Sequence, residues 1–242
     1  MNEELLERGL EELKLLSERN LSLLTRYIKE IELFNPAYGL VKVRDTREFI
    51  LKHILDSLAP FDIINSRLKK TDKAPAVADV GSGAGLPGIP LAICMPDVQF
   101  TLVERMGRRV GFLLNTVAAL GLSNVQVEEK EMEKLVPACF DLVVLRAFRP
   151  LEDKILKSLL GLLGPDGILA AYKGRRQALE EEMSNLMDAG NKDKGPSIGA
   201  WELFPLKVPF LKEERHLLLI HRQISSHVDN LLTNSDLYTA CI

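Results

Sequence analysis

Apolar residues recur at three- and four-residue steps near the start of the chain, with charged residues between them. This spacing is typical of amphipathic helices, so we predict helix over residues 3–34. Asn20 is placed to interrupt the pattern, and Ser22 could cap a second helical segment. Asn35-Pro36 should end it, because the residue before a proline is biased away from helical backbone.

The helical period returns over residues 46–58, where a further helix is predicted. Thr46 is the expected N-cap, and Pro60 is the expected end of this helix. These helices precede every strand-like run in the chain. We therefore interpret residues 1–70 as an N-terminal helical appendage packed on the core.

Beyond residue 70, short apolar runs alternate with helical stretches. Strands are predicted at 77–80, 99–104, 125–127, 140–145, 168–173, 201–208 and 215–222, and helices at 87–95, 107–120, 151–162 and 176–188. The alternation indicates an α/β, Rossmann-like core over residues 71–225 with a mostly parallel, seven-stranded sheet. The last two strands are separated by only a short turn, so they should form an antiparallel hairpin.

Three stretches of the chain are expected to lie outside these elements. The run Gly164–Gly167 (GPDG) is a strong turn signal before the fifth strand. Residues 189–199 are polar and predict a loop, and residues 226–242 are interpreted as a C-terminal tail.

The sharpest local motif follows the first predicted strand and reads Asp79-Val80-Gly81-Ser82-Gly83-Ala84-Gly85. Glycine at every second position lets the backbone approach a ligand and adopt positive φ angles. Glu104 ends the second strand, where a carboxylate can accept hydrogen bonds from two ribose hydroxyls. The two signals together predict a site for an adenosine-containing ligand. A glycine-rich turn beside an exposed glutamate is the alternative without function.

Two cofactors are compatible with this arrangement. Gly83-x-Gly85-x-x-Gly88 matches the dinucleotide fingerprint, but it begins two residues late, and Leu86 stands where the glycine is needed. The form D-x-G-x-G-x-G over 79–85 resembles the first motif of class I methyltransferases, which favours S-adenosylmethionine. An NAD(P)-dependent oxidoreductase remains the alternative enzyme.

Several further strings stand together along the chain: Val43-Arg44-Asp45, His53-Ile54-Leu55-Asp56-Ser57, Asp79 to Leu91, Arg146-Ala147-Phe148, Tyr172-Lys173-Gly174 and Glu214-Arg215-His216-Leu217. With them the chain resembles the bacterial small-subunit ribosomal RNA guanine-N7 methyltransferases, also called the glucose-inhibited division protein B family. The resemblance implies methyl transfer from S-adenosylmethionine to N7 of a guanine in 16S ribosomal RNA, in the 530-loop region. A non-catalytic RNA-binding module for ribosome assembly is the alternative outside enzymes.

The expected cofactor residues come partly from the motif and partly from the resemblance, and they are Asp79, Gly81, Gly83, Gly85, Leu86, Glu104, Met132, Glu133 and Arg146. Arg146 ends the fourth predicted strand, beside the glycine loop, so we also predict a catalytic role for it. Guanine N7 carries a lone pair and no proton, so no general base is required. Alignment and polar groups around the base should matter more.

RNA contacts are predicted for His53, Arg108, Arg109, Lys173 and Arg175, although each also allows a structural or solvated interpretation. Phe148 could stack on a flipped base or pack in the core. The net charge is −3, so the positive charge has to be clustered locally for RNA binding.

The remaining partners are predicted from what the sequence lacks. The start of the chain has no secretory signal, and no apolar window reaches the length of a membrane span. The three cysteines show no pairing pattern, which favours a reducing compartment. We therefore expect a cytoplasmic monomer that binds 16S ribosomal RNA or the small ribosomal subunit, with no membrane contact and no metal.

Overall fold

The computed structural model describes residues 2–69, 71, 73–146, 151–190 and 198–222. Phe148, most of the expected loop at 189–199 and the expected tail at 226–242 lie outside the described residues. Within those ranges, no helix has the length and apolar character to cross a membrane.

A seven-stranded sheet forms the centre of the molecule. Its strands are β1 (Ala76–Val80), β2 (Gln99–Glu104), β3 (Val125–Glu129), β4 (Phe140–Arg146), β5 (Leu163–Lys173), β6 (Ile198–Leu206) and β7 (Arg215–Arg222). They lie in the order β3-β2-β1-β4-β5-β7-β6. The first five strands are parallel, while β7 runs antiparallel to both β5 and β6. The predicted Rossmann-like class with a terminal antiparallel hairpin is therefore confirmed.

Helices cover both faces of this sheet. They are α1 (Asn2–Glu12), α2 (Glu18–Tyr38), α3 (Thr46–Phe49), α4 (Asp56–Leu58), α5 (Phe61–Arg67), α6 (Gly88–Cys94), α7 (Gly107–Leu120), α8 (Asp153–Leu162) and α9 (Arg176–Gly190). A π-helical segment, Ile50–Leu55, joins α3 to α4. A 3-10 turn, Met132–Lys134, follows β3.

Alternate residues of each strand face opposite layers of the core, as the period of a strand requires. Val144 packs in the layer formed with the N-terminal helices, α6 and α7, whereas its neighbour Leu145 packs against α8 and α9. Leu10 and Leu24 are completely buried in the first layer. The N-terminal helices thus share one continuous hydrophobic cluster with the sheet.

The first break between helices lies earlier than predicted. Ser17, not Ser22, caps α2, since its hydroxyl accepts a hydrogen bond from Asn20 N at 3.1 Å. Asn20 does not interrupt the chain but lies in the first turn of α2, where its side chain donates to Leu15 O. Local hydrogen bonding by this asparagine therefore supports the helix start.

The prediction that Asn35-Pro36 ends the helix is wrong. α2 continues through Pro36 to Tyr38. It ends at Gly39, which adopts φ 59° and donates its N–H to Asn35 O at 2.9 Å. A left-handed glycine satisfies the last carbonyls, so the proline in the final turn is tolerated.

The helix predicted over 46–58 is present and ends at Leu58 as expected, although its cap differs. Asp45 caps it in place of Thr46, because Asp45 Oδ1 accepts from Glu48 N at 2.8 Å. Pro60 stands at the N-cap of the following helix, α5. A proline is compatible with a helix start because its missing N–H is not needed there.

The expected turn at Gly164–Gly167 lies within the bounds of β5. Phe140 pairs with Leu163, whereas Leu142 already pairs with Ile168, so these residues form an irregularity between two paired positions. A Cβ at Gly167 would lie 2.9 Å from Phe140 O. The glycine therefore permits the close approach that a bulge needs.

Cys94, on α6, is a free cysteine. Among the described residues, no group of three or more His, Cys, Asp or Glu side chains could hold a metal ion.

Candidate active site

The glycine loop connects β1 to α6 at the carboxyl edge of the sheet. Gly81 and Gly83 adopt φ 72° and 60°, the left-handed region that favours glycine. The N–H groups of Gly81 and Ser82 donate to Val103 O, which ties the loop to β2. A Cβ at Gly83 would have only Gly81 O, at 3.8 Å, within contact range. The space beside this residue is therefore open to a ligand.

Asp79 lies beneath the loop and holds it in shape. Its Oδ2 accepts hydrogen bonds from the Ser82 hydroxyl at 2.7 Å and from Gly88 N at 2.9 Å. Its Oδ1 is buried and has no partner among the described residues. Burial raises the pKa of the Asp79 carboxyl to about 6, because desolvation disfavours the charged form. This arrangement leaves one polar atom free for an additional partner.

Glu104 links the glycine loop to the turn that follows β2. Its Oε1 accepts from Arg105 N at 2.9 Å and from Met106 N at 3.0 Å, and its Oε2 accepts from Gly83 N at 3.1 Å. Arg109 adds a cation 3.6 Å from Oε2. These donors fix the carboxylate. Oε1 already accepts two hydrogen bonds, whereas Oε2 has capacity for another.

A cleft of about 650 Å³ opens beside Glu104. Its lining includes Gly81, Glu104, Arg109, Met132 and Glu133, all predicted as site residues. Met132 and Glu133 reach it from the 3-10 turn after β3. This volume is in the range of pockets that enclose a small cofactor. The open glycine face, the fixed carboxylate and the unpartnered Asp79 oxygen together fit S-adenosylmethionine.

Five of the predicted cofactor residues lie outside the lining of this cleft: Asp79, Gly83, Gly85, Leu86 and Arg146. A Cβ at Gly85 would lie 2.4 Å from Ile89 Cδ1, so Gly85 permits packing of the loop against α6. The side chain of Leu86 is buried in the core. Gly85 and Leu86 therefore pack on the core side of the loop and do not line the cleft.

Arg146 ends β4 and lies on the other side of the glycine loop. Val144 pairs with Asp79, which places Arg146 level with Gly81 in the sheet. Its Nη1 donates to Lys52 O at 3.1 Å and to Asp56 Oδ2 at 3.2 Å, and its Nη2 lies 2.8 Å from His53 Nδ1. Because the guanidinium is engaged by the N-terminal helices, it is not among the residues that line the cleft.

Asp56 joins two arginines from different parts of the fold. Besides Arg146, it accepts a hydrogen bond from Arg215 Nε at 3.0 Å. Asp56 is buried, and the Arg146 side chain is only 11% exposed. We call Arg146, His53, Asp56 and Arg215 the arginine cluster.

The His53 ring is fixed on two sides. It stacks on Phe49 with ring centroids 5.4 Å apart. Burial and the neighbouring Arg146 charge lower the pKa of His53 to about 3, so the imidazole is neutral at neutral pH. An arginine can only donate, so Nδ1 accepts and the proton lies on Nε2.

Tyr27 connects the N-terminal layer to the glycine loop. It lies on α2, is completely buried, and donates its hydroxyl to Ala84 O at 2.7 Å. Its apolar spacing on α2 predicts a core residue and gives no signal of this contact. Asp56 and Arg215 were likewise missed, since their roles arise from contacts across 159 positions of sequence.

The cations predicted to contact RNA differ in their availability. Arg108 and Arg175 are exposed, while Arg109 is directed to Glu104. Lys173 is not a free cation, which corrects that expectation: its Nζ lies 2.6 and 2.9 Å from the two oxygens of Glu182, and its side chain is 12% exposed. Glu182 also accepts from Leu151 N, so this ion pair supports the fold around α9.

Sequence comparison identifies a protein family that this chain matches. The family model described as rRNA small subunit methyltransferase G matches residues 20–195. The chain is 38% identical over 204 residues to the Ribosomal RNA small subunit methyltransferase G of Treponema pallidum, with 83% of this chain and 84% of the relative covered.

Solved structures support the fold at low sequence identity. The tRNA (m1A58) methyltransferase TrmI from Aquifex aeolicus has a TM-score of 0.52 at 11% identity, covering 71% of this chain and 69% of its own. The [4+2]-cyclase SpnF has a TM-score of 0.55 at 16% identity, covering 86% and 97%. These proteins differ in activity, so the structural similarity supports the fold and does not indicate the reaction.

Proposed function

The chain belongs to the family of rRNA small subunit methyltransferase G, and from that premise we propose that it transfers a methyl group from S-adenosylmethionine to N7 of a guanine in 16S ribosomal RNA. The observation that carries the proposal is the cleft beside Glu104, at the carboxyl ends of two parallel strands. Ligands of open α/β sheets bind outside this edge.

The cofactor would be held by groups from three strand ends. Gly81 and Gly83 offer backbone without a Cβ, Glu104 would accept hydrogen bonds from the ribose hydroxyls, and Met132 and Glu133 would close the far side of the cleft. When bound, the cofactor supplies a methyl carbon on a positively charged sulfur, which the guanine N7 lone pair can take as the carbon–sulfur bond breaks.

The protein's part in this reaction is alignment. Guanine N7 carries no proton, so no side chain has to act as a base. Holding the reacting atoms in line can be worth roughly 7–11 kcal/mol in the best intramolecular models. We propose that Arg146 fixes its neighbours on the side of the loop where the methyl-accepting guanine binds. Its own donors are engaged by Lys52, His53 and Asp56.

The finer parts of the proposal concern the partner and the organisation of the chain. Arg108 and Arg175 are exposed cations suited to phosphate contacts, which position RNA without reading its sequence. We propose a cytoplasmic monomer that acts on 16S ribosomal RNA or on the small ribosomal subunit. Residues 1–70 would form an appendage that completes the acceptor side of the core at 71–225.

The two alternatives fit these observations less well. A dinucleotide loop would need glycine at position 86, whereas Leu86 is buried in the core. A non-catalytic module has no need for the open space beside Gly83 or for a fixed carboxylate at Glu104.

A methyl-transfer assay combined with cofactor-binding measurements separates all three functions. Small subunits from cells that lack the gene are incubated with the protein and labelled S-adenosylmethionine, and the methylated nucleotide is mapped by mass spectrometry. We expect label on a single guanine, and none on subunits from cells that carry the gene. Cofactor binding in calorimetry without any transfer would support the module, and binding of NAD(P) alone would support the oxidoreductase.

A further inference from the structure

A chain of contacts connects His53 to the glycine loop. Tyr27 donates to Ala84 O at 2.7 Å, the Tyr27 and Phe49 rings lie 6.3 Å apart, and Phe49 stacks on His53 at 5.4 Å. The ring is therefore two aromatic side chains away from the loop. It also contacts Arg146, which is level with Gly81 in the sheet.

The direction and the protonation of this ring are set by its neighbours. Arg146 occupies Nδ1, and Phe49 covers one face of the imidazole. Arg146 is itself fixed by Asp56, which Arg215 holds from the other side. The Nε2–H group makes no hydrogen bond within the described part of the chain, and the residue is only half-buried. The cluster therefore presents one fixed, uncharged donor.

A single fixed donor can distinguish the two purines. Beside N7, guanine carries the O6 acceptor, whereas adenine carries an N6 amino group that donates. Building on the proposed function, we propose that His53 donates its Nε2–H to O6 of the target guanine and so selects guanine over adenine. Arg146 is then a positioning residue that acts through His53.

The other polar groups near this position are already engaged. Lys52 pairs with Glu48 at 3.1 Å and with Glu213 at 3.4 Å. The guanidinium of Arg215 is directed to Asp56 and to the carbonyl of Glu214. A neutral donor also avoids adding positive charge next to a base that becomes positive as N7 is methylated.

A chemical double-mutant cycle tests the contact. The target guanine in a 16S ribosomal RNA substrate is replaced by 2-aminopurine, which keeps N7 and lacks O6. kcat/KM is measured with both RNAs for the wild-type protein, His53→Ala and the matched control His221→Ala. The loss of O6 should cost the wild type and the control about five- to tenfold more than it costs His53→Ala, the usual worth of one hydrogen bond.

Two further measurements separate the possible failures. Calorimetry should give equal S-adenosylmethionine affinity for all three proteins, so a folding defect in His53→Ala would be recognised. An equal O6 penalty in wild type and His53→Ala would overturn the role of His53, whereas absence of transfer to the guanine substrate by wild type would overturn the proposed function itself.

The tautomer offers a second test, first in the wild-type protein and then in one variant. Ring nitrogen NMR of the wild-type protein should show His53 with its proton on Nε2 and no titration between pH 5 and 8. Replacing Arg146 with Met should return the His53 pKa toward its ordinary value near 6.5. A proton on Nδ1 in the wild type, or titration near pH 6.5, would contradict the proposal.

Discussion

The two sides of the glycine loop are built on different physical principles. The cleft beside Glu104 is open, and backbone groups set its shape: N–H groups fix the carboxylate, and glycine leaves room for a ligand. The arginine cluster is closed, and side chains from three distant segments form it. The first side is formed by loops at the ends of neighbouring strands, whereas the second joins side chains from segments up to 159 positions apart.

The largest expected effect concerns the open side. Gly83→Val should abolish S-adenosylmethionine binding, because a branched side chain would enter the ligand space at φ 60°. We expect at least a hundredfold loss of affinity in calorimetry.

Gly121→Val is the matched control for this strain. Gly121 has φ 67° and no atom within 4 Å of an added Cβ, and it ends α7. It should lose comparable stability and keep its affinity. Equal cofactor affinity in both variants would show that the ligand does not occupy the space beside Gly83.

On the closed side, Asp56→Asn should destabilise the fold. It leaves two arginines without their shared buried carboxylate, and removal of one partner of a buried ion pair costs about 3–5 kcal/mol. Urea unfolding measures this loss, and Asp166→Asn, which breaks the exposed pair with Lys69, should cost under about 1 kcal/mol. Equal losses in the two variants would show that the cluster does not hold the fold together.

The buried carboxyl of Asp79 predicts a pH dependence of cofactor affinity. Its pKa is raised to about 6, so it is protonated below that pH in the free protein. A cationic cofactor favours the ionised form, so binding at lower pH must expel a proton. Affinity should therefore rise by up to about tenfold from pH 5 to 7 and then level off. The same rise in Asp79→Asn would assign the effect to another group.

The smallest effect should come from the contact between the N-terminal layer and the glycine loop. Tyr27→Phe removes the hydrogen bond to Ala84 O and should weaken S-adenosylmethionine binding about fivefold, the worth of roughly 1 kcal/mol. Tyr172→Phe removes a similar buried bond, to Ser57 O at 2.7 Å, and should leave affinity unchanged. Equal affinities in the two variants would mean that the N-terminal layer does not support the glycine loop.

The same contrast explains how far the sequence predicts the structure. The period of apolar residues and the glycine motif predict the sheet, its hairpin and the position of Glu104, because these depend on short-range pattern. The predicted end of α2 was wrong because Gly39 provides a left-handed cap after the proline. Local hydrogen bonds of Ser17 and Asp45 likewise moved two helix starts.

The open side of the candidate site could be predicted as a site, whereas on the closed side the sequence named Arg146 and His53 but not the contacts that join them. The role of Arg146 in the cluster depends on Asp56 and His53 from a helix some 90 residues earlier, which no local pattern indicates. Lys173 looked like a free cation because the position of Glu182 beside it depends on how α9 packs.

The central claim is that S-adenosylmethionine lies across Gly81 and Gly83 with its ribose on Glu104. A crystal structure of the protein with the cofactor tests it most directly. We predict both ribose hydroxyls within hydrogen-bonding distance of the Glu104 carboxylate and the methyl group directed toward the His53 side of the loop. A ligand bound elsewhere, or a ribose that makes no contact with Glu104, would contradict the account.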